Sequence, residues 1–149
     1  MRAVIQRVKK GSVEIEKKEI GKIKEGLVIL LGVGRNDVEK DAEYLAEKII
    51  NLRIFEDKKG KMNLSIGDIN GQILIISQFT LYGDCKKGRR PSFISAALPD
   101  QAAKLYEYFV KCLKNYHLKI ETGQFQTMML VKIYNQGPVT ILLDSEKIF

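Results

Sequence analysis

Gly26-Leu27-Val28-Ile29-Leu30-Leu31-Gly32-Val33 is the run that decides the fold class. Branched apolar residues follow one another with no polar alternate, and glycine bounds the run, which is the pattern of a strand buried on both faces. Gln72-Ile73-Leu74-Ile75-Ile76-Ser77-Gln78-Phe79 repeats the pattern and predicts a second buried strand. Two such strands need covers, and the residues around them are expected to supply helices.

Outward from the first run, Gly34-Arg35-Asn36 turns the chain, and Asp37 is expected to cap a helix with apolar face Val38, Ala42, Leu45, Ile49 and Leu52. Arg53-Ile54-Phe55-Glu56 predicts a strand and Asp57-Lys58-Lys59-Gly60 a turn. Before the run, residues 1–8 alternate partly, Lys10-Gly11 breaks them, and Ser12-Val13-Glu14-Ile15-Glu16 alternates cleanly, which predicts a β-hairpin. Ile20 and Ile23 add a short strand. Beyond the second run, residues 83–97 predict a long loop, and Pro99 opens a helix with face Ala102, Leu105, Phe109, Cys112 and Leu113, ending near Asn115. Residues 128–134 and 139–143 predict two last strands separated by Asn135-Gln136-Gly137-Pro138. Two helices set between strands give an α/β or α+β class with a mixed sheet. No repeat or low-complexity segment interrupts it, and one domain over residues 1–149 is expected.

Composition excludes several classes of function. With 45% hydrophobic and 29% charged residues the chain can bury a core. Cys85 and Cys112 fit neither a zinc spacing nor a disulfide scaffold, and a reducing cytoplasm is expected. The charged start of the chain does not read as a signal peptide, and the apolar run is far shorter than the roughly 20 residues a bilayer needs, so no membrane role is expected. The net charge of +7, from 25 Lys and Arg against 18 Asp and Glu, favours a polyanionic partner.

Catalytic constellations are scarce. His117 is the only histidine, and it follows the second helix, where a surface histidine is the simpler reading. One His and two distant Cys cannot furnish a tetrahedral zinc set, so no metal and no cofactor are expected. Two stretches remain. Ser77-Gln78-Phe79-Thr80-Leu81-Tyr82-Gly83-Asp84 either merely ends a strand or offers backbone N–H groups and small polar side chains to a developing oxyanion. Asn135-Gln136-Gly137-Pro138-Val139-Thr140 reads from its spacing as a hairpin turn.

Four motifs in register, MRAVIQRV (1–8), SQFTLYG (77–83), KGRRPSF (87–93) and NxGPVT (135–140), resemble the D-aminoacyl-tRNA deacylase family over the whole chain. The resemblance implies one small domain of mixed sheets in barrel-like layers covered by two helices, working as a homodimer on tRNA, with no DNA partner. It implies hydrolysis of the D-aminoacyl ester and also raises glycyl-tRNA as a substrate. Ser77, Gln78, Phe79 and Thr80 would line the pocket for the terminal adenosine and the ester. Thr80 is a candidate nucleophile, with backbone donors and the 2′-hydroxyl of the tRNA as rival agents. Gly137-Pro138 would be cis and would reach the partner subunit's site, where main-chain oxygens exclude an L side chain.

Lys86, Lys87, Arg89 and Arg90 would meet acceptor-stem phosphates, or else form a solvated charged loop. Phe93 or Phe79 could stack on adenine, and Met129 and Asn135 complete the expected binding set. Residues 125–131 depart from the family wording, although Met129 and Val131 align. An activated ester asks for a positioned water and an oxyanion site more than for a strong protein base, which accommodates the scarcity of histidine. Rival readings are a non-catalytic single-strand RNA-binding module and a Thr- or Ser-dependent small-ester hydrolase.

Overall fold

Leu27, Ile29 and Leu31 face one side of their strand and Val28 the other, and all four are buried, as an unbroken apolar run requires. A computed structural model describes residues 1–148. In chain order the elements are β1 (Arg2–Ile15), β2 (Lys18–Ile23), β3 (Gly26–Gly32), α1 (Glu39–Ile50), β4 (Phe55–Glu56) and β5 (Met62–Leu64). There follow β6 (Gln72–Ser77), a single 3-10 turn (Phe79–Tyr82), α2 (Pro99–Lys114), β7 (Lys119–Thr122) and β8 (Leu130–Asp144).

The main sheet is mixed, with order β2-β1-β3-β6-β7 and β8 along the other side of β1. β3 and β6 run parallel, Gly26 opposite Gln72 and Leu31 opposite Ser77. One face carries Ile5, Ile29, Ile73 and Ile75 against Leu45 and Ile49 of α1 and Phe109 and Leu113 of α2. Each of these large side chains contributes about 1.5–3 kcal/mol by leaving water. The other face curls around a second cluster of Val8, Val13, Ile23, Val28, Leu74 and Ile76. Curling brings β2 over β7, so that a Cβ on Gly21 would lie 3.2 Å from the Thr122 carbonyl oxygen. The result is a nearly closed, barrel-like sheet with two helices on its outer face.

Several expected boundaries move. The break at Lys10-Gly11 does not occur, because β1 is one strand that pairs with β3 through residues 2–8, with β2 through residues 11–15 and with β8 along both parts. Gly11 is there for close packing: a Cβ would meet Val28 Cγ2 at 2.7 Å. The hairpin turn is Glu16-Lys17 instead, both in the left-handed region (φ 48° and 68°), as a two-residue turn between twisted strands demands. Asp37 does not cap α1. Val38 holds the cap position, its N–H donating to Asp41 Oδ2 (2.8 Å), while Asp37 turns inward to the Met1 ammonium (2.7 Å).

The strand expected at residues 53–56 shrinks to β4, and the one at residues 72–79 stops at Ser77, where the 3-10 turn takes over. β7 was not expected, since Lys119-Ile120-Glu121-Thr122 is short and carries a single strong apolar residue; its pairing with β6 makes it a strand. The hairpin turn expected at residues 135–138 is absent. β8 continues past it on the same partner, Val8 opposite Asn135 and Gln6 opposite Thr140, so the intervening residues form a wide bulge.

Candidate active site

Parallel strands β3 and β6 end side by side, and ligands commonly bind beyond such carboxyl ends. The Gln78 N–H still donates to Leu31 O (2.7 Å), after which the ladder stops and the chain enters the 3-10 turn. Phe79 and Thr80 occupy the start of that turn, where a helix leaves its N–H groups without intrahelical acceptors. Among the described residues neither N–H has a partner. Phe79 lines a cleft of about 730 Å³, and Thr80 follows it just outside the lining. Ser77, Gln78 and Phe79 form one wall, residues 125–129 the facing wall, and Val33, Ile76 and Val131 also line it.

The turn is clamped from beneath. Arg2 donates to the Leu81 carbonyl (3.1 Å), pairs with Asp144 (3.0 Å) and lies 4.5 Å above the Tyr82 ring. Tyr82 donates its hydroxyl to Asp37 Oδ2 (3.3 Å); burial first, then the Asp37 charge, push that hydroxyl above its ordinary pKa, so it remains a donor. Gly34 accommodates this ring, since a Cβ would lie 2.7 Å from it.

Of the expected site residues, Ser77, Gln78, Phe79 and Met129 meet in the cleft. Thr80 stands beside it, its hydroxyl accepting from the Gln78 side-chain amide. An amide NH2 cannot take a proton, so this contact does not activate Thr80 as a nucleophile. Phe93 packs edge-on against Phe79, ring centres 5.0 Å apart, and both rings remain partly exposed. Lys86, Lys87, Arg89 and Arg90 lie on an exposed loop closed by paired bonds between Asp84 and Ser92 (2.8 and 2.9 Å).

Gly137 and Pro138, joined by a cis bond, are exposed on the β8 bulge and do not line this cleft. Asn135 is engaged within the bulge: its amide oxygen accepts from Val139 N–H (2.8 Å) and its NH2 donates to Val139 O (3.2 Å) and Thr140 Oγ1 (3.0 Å). His117 is exposed after α2, outside the cleft. Among the described residues no three His, Cys, Asp or Glu gather as a metal site would require, and no helix is long and apolar enough to cross a membrane.

Arg7 is the residue that sequence reasoning passed over. It is buried, donates to Gln136 O (3.1 Å) and Ile54 O (2.7 Å), and approaches Glu56 (3.6 Å). A signal for it existed, since Ala3, Ile5 and Arg7 share the inward face of β1 and a cation there needs partners. Phe125, Gln126, Thr127 and Met128 complete the facing wall of the cleft, Gln126 with φ 55°.

A curled mixed sheet under two helices, with a cleft at its parallel strand ends bordered by unpaired backbone donors, defines a small α/β protein suited to acyl-group chemistry. The chain belongs to the D-Tyr-tRNA(Tyr) deacylase family, whose model matches residues 4–144. It is 65% identical to the D-aminoacyl-tRNA deacylase of Thermosipho africanus (strain TCF52B) and 63% identical to that of Thermosipho melanesiensis (strain DSM 12029 / CIP 104789 / BI429), with all of each chain covered. A solved structure named c-Myc DNA Unwinding Element Binding Protein superposes with a TM-score of 0.91 at 40% identity, covering 97% of this chain and 98% of that one.

Proposed function

We propose that the protein hydrolyses the ester of D-aminoacyl-tRNA to tRNA and a D-amino acid. The observation that carries this reading is the end of β6, where the N–H groups of Phe79 and Thr80 lack acceptors beside a cleft large enough for an acylated adenosine, with Phe79 in its lining. Water adds to the ester carbonyl carbon, the carbonyl oxygen becomes an oxyanion held by these donors, and the 3′-oxygen leaves with a proton relayed by the ribose 2′-hydroxyl. Each oriented donor is worth about 3 kcal/mol in such a step. Ser77, Gln78 and Met129 shape the pocket. Thr80 stands beside the pocket, held by Gln78, and does not serve as the nucleophile.

Gly137 and Pro138 act as the chiral gate in the cleft of a second copy of the chain, the main chain excluding an L side chain. Their exposure outside their own cleft supports this, as do the exposed apolar side chains Leu130, Tyr134 and Leu142 of β8, which suit a homodimer contact. Lys86, Lys87, Arg89 and Arg90 contact acceptor-stem phosphates, Phe79 and Phe93 stack on the terminal adenine, and Asn135 acts by bracing the gate. The tRNA substrate makes the cytoplasm the setting.

The test incubates the protein with D-Tyr-tRNA, L-Tyr-tRNA and a free D-amino acid ester. Release from D-Tyr-tRNA alone is expected; equal release from the L form or from the free ester would overturn the reading. The name of the 40%-identical relative favours a second reading, nucleic-acid binding without hydrolysis. Duplex DNA that competes for tRNA, with no ester loss, would favour it.

A further inference from the structure

Strands β4 and β5 contribute two and three residues, and the turn between them, Asp57-Lys58-Lys59-Gly60-Lys61, lies apart from the candidate active site. The turn is nevertheless tightly organised. The Asp57 carboxylate accepts from the N–H of Lys59 (2.8 Å) and of Lys61 (3.0 Å) and from the Asn63 amide (2.6 Å). The main chain closes the turn, Asp57 N–H to Lys61 O (2.8 Å) and Gly60 N–H to Asp57 O (2.9 Å), with Gly60 at φ 72°. The acid of the turn is thus committed to holding it, and the nearby Glu56 faces Arg7.

Lys58, Lys59 and Lys61 are exposed, and among the described residues none makes an ion pair. An ordered turn that aims three cations at solvent while its carboxylate points inward fits a polyanion. Its position selects which one. One Arg7 guanidinium bridges the carbonyl before β4 (Ile54) and the carbonyl before Gly137 (Gln136), so the hairpin and the β8 bulge are held together. Three residues lie between Ile54 and Lys58, so Lys58 stands at most about 13 Å from Ile54. That is the length of about four stacked nucleotides at roughly 3.4 Å each.

We propose that the Lys58-Lys59-Lys61 turn is a second phosphate-contacting surface for the RNA of the substrate, separate from the loop of Lys86, Lys87, Arg89 and Arg90. The proposal rests on the proposed function, in which the Gly137-Pro138 bulge meets the acylated end of a tRNA: what the bulge meets, the turn reaches beyond it.

The experiment measures binding of uncharged tRNA across a salt series for wild type, for K58Q/K59Q/K61Q, and for K17Q/K18Q at the β1–β2 turn. The triple variant is expected to flatten the slope of log K against log salt by about two units and to weaken binding at low salt about tenfold or more. K17Q/K18Q is expected to keep the wild-type slope. An unchanged slope in the triple variant, or an equal flattening in K17Q/K18Q, would overturn the proposal. Because this tRNA carries no aminoacyl group, a wild type that bound it but released nothing from D-Tyr-tRNA would overturn the proposed function while the slope still decided the role of the turn.

Discussion

Arg7 holds Gln136: its Nε donates to the Gln136 carbonyl at 3.1 Å, from a side chain buried in β1 and anchored on Ile54 O at 2.7 Å. The cation thereby fixes the shape of the β8 bulge from inside the protein. Arg7→Ala would strand two carbonyls and open a cavity, an expected loss of about 2–4 kcal/mol in urea unfolding. Hydrogen exchange at residues 136–139 should rise in the same variant. Unaltered stability and exchange would mean that the bulge holds itself.

Thr80→Ala is expected to retain at least about a tenth of the single-turnover deacylation rate, because the Thr80 hydroxyl faces an amide donor and not a base. Complete loss of the chemical step with unchanged tRNA binding would make Thr80 the nucleophile.

Replacing Arg89 and Arg90 by Ala should weaken tRNA binding and reduce its salt slope by about one unit for each lost phosphate contact. The loop is exposed and closed by the Asp84 and Ser92 main chains, so the fold should persist. Wild-type slope in this variant would leave the loop a solvated surface.

Gly26 has φ 156°, and a Cβ there would lie 1.8 Å from the Gln72 carbonyl oxygen. Backbone cannot yield as a flexible side chain can, so Gly26→Ala should fall at the severe end of single substitutions, about 3–5 kcal/mol by thermal or urea unfolding. A loss under about 1 kcal/mol would show that β3 and β6 can separate at this end.

The Asn63 amide, followed by the N–H groups of Lys61 and Lys59, holds the Asp57 carboxyl below the ordinary aspartate pKa. A lowered folded pKa means that the stabilisation of the turn is complete above the unfolded value, near 3.9, and is lost as pH falls through the folded one. In a carboxyl NMR titration, Asn63→Ala should raise the Asp57 midpoint toward the ordinary value. An unmoved midpoint would assign the shift to the backbone donors.

What the sequence determined by itself was whatever local chemistry decides. The apolar runs of β3 and β6 had to be buried on both faces, and the faces of α1 and α2 had to cover them, because residue order alone sets a periodicity of two or of 3.6. The motif at the end of β6 was legible for the same reason, since a buried strand that turns abruptly polar marks its own exit from the core. Tertiary structure alone decided where pairing overrides punctuation. Gly11 and Gly137-Pro138 look like turns in one dimension, yet β1 and β8 run through both places because each strand has the other's backbone to follow. Asp37 looks like a helix cap, but the Met1 ammonium across the fold is the stronger partner for a buried carboxylate. Arg7 and Gln136, 129 residues apart in the chain, show the same limit. No local pattern encodes their contact, because it exists only once β1 and β8 are zipped together around it.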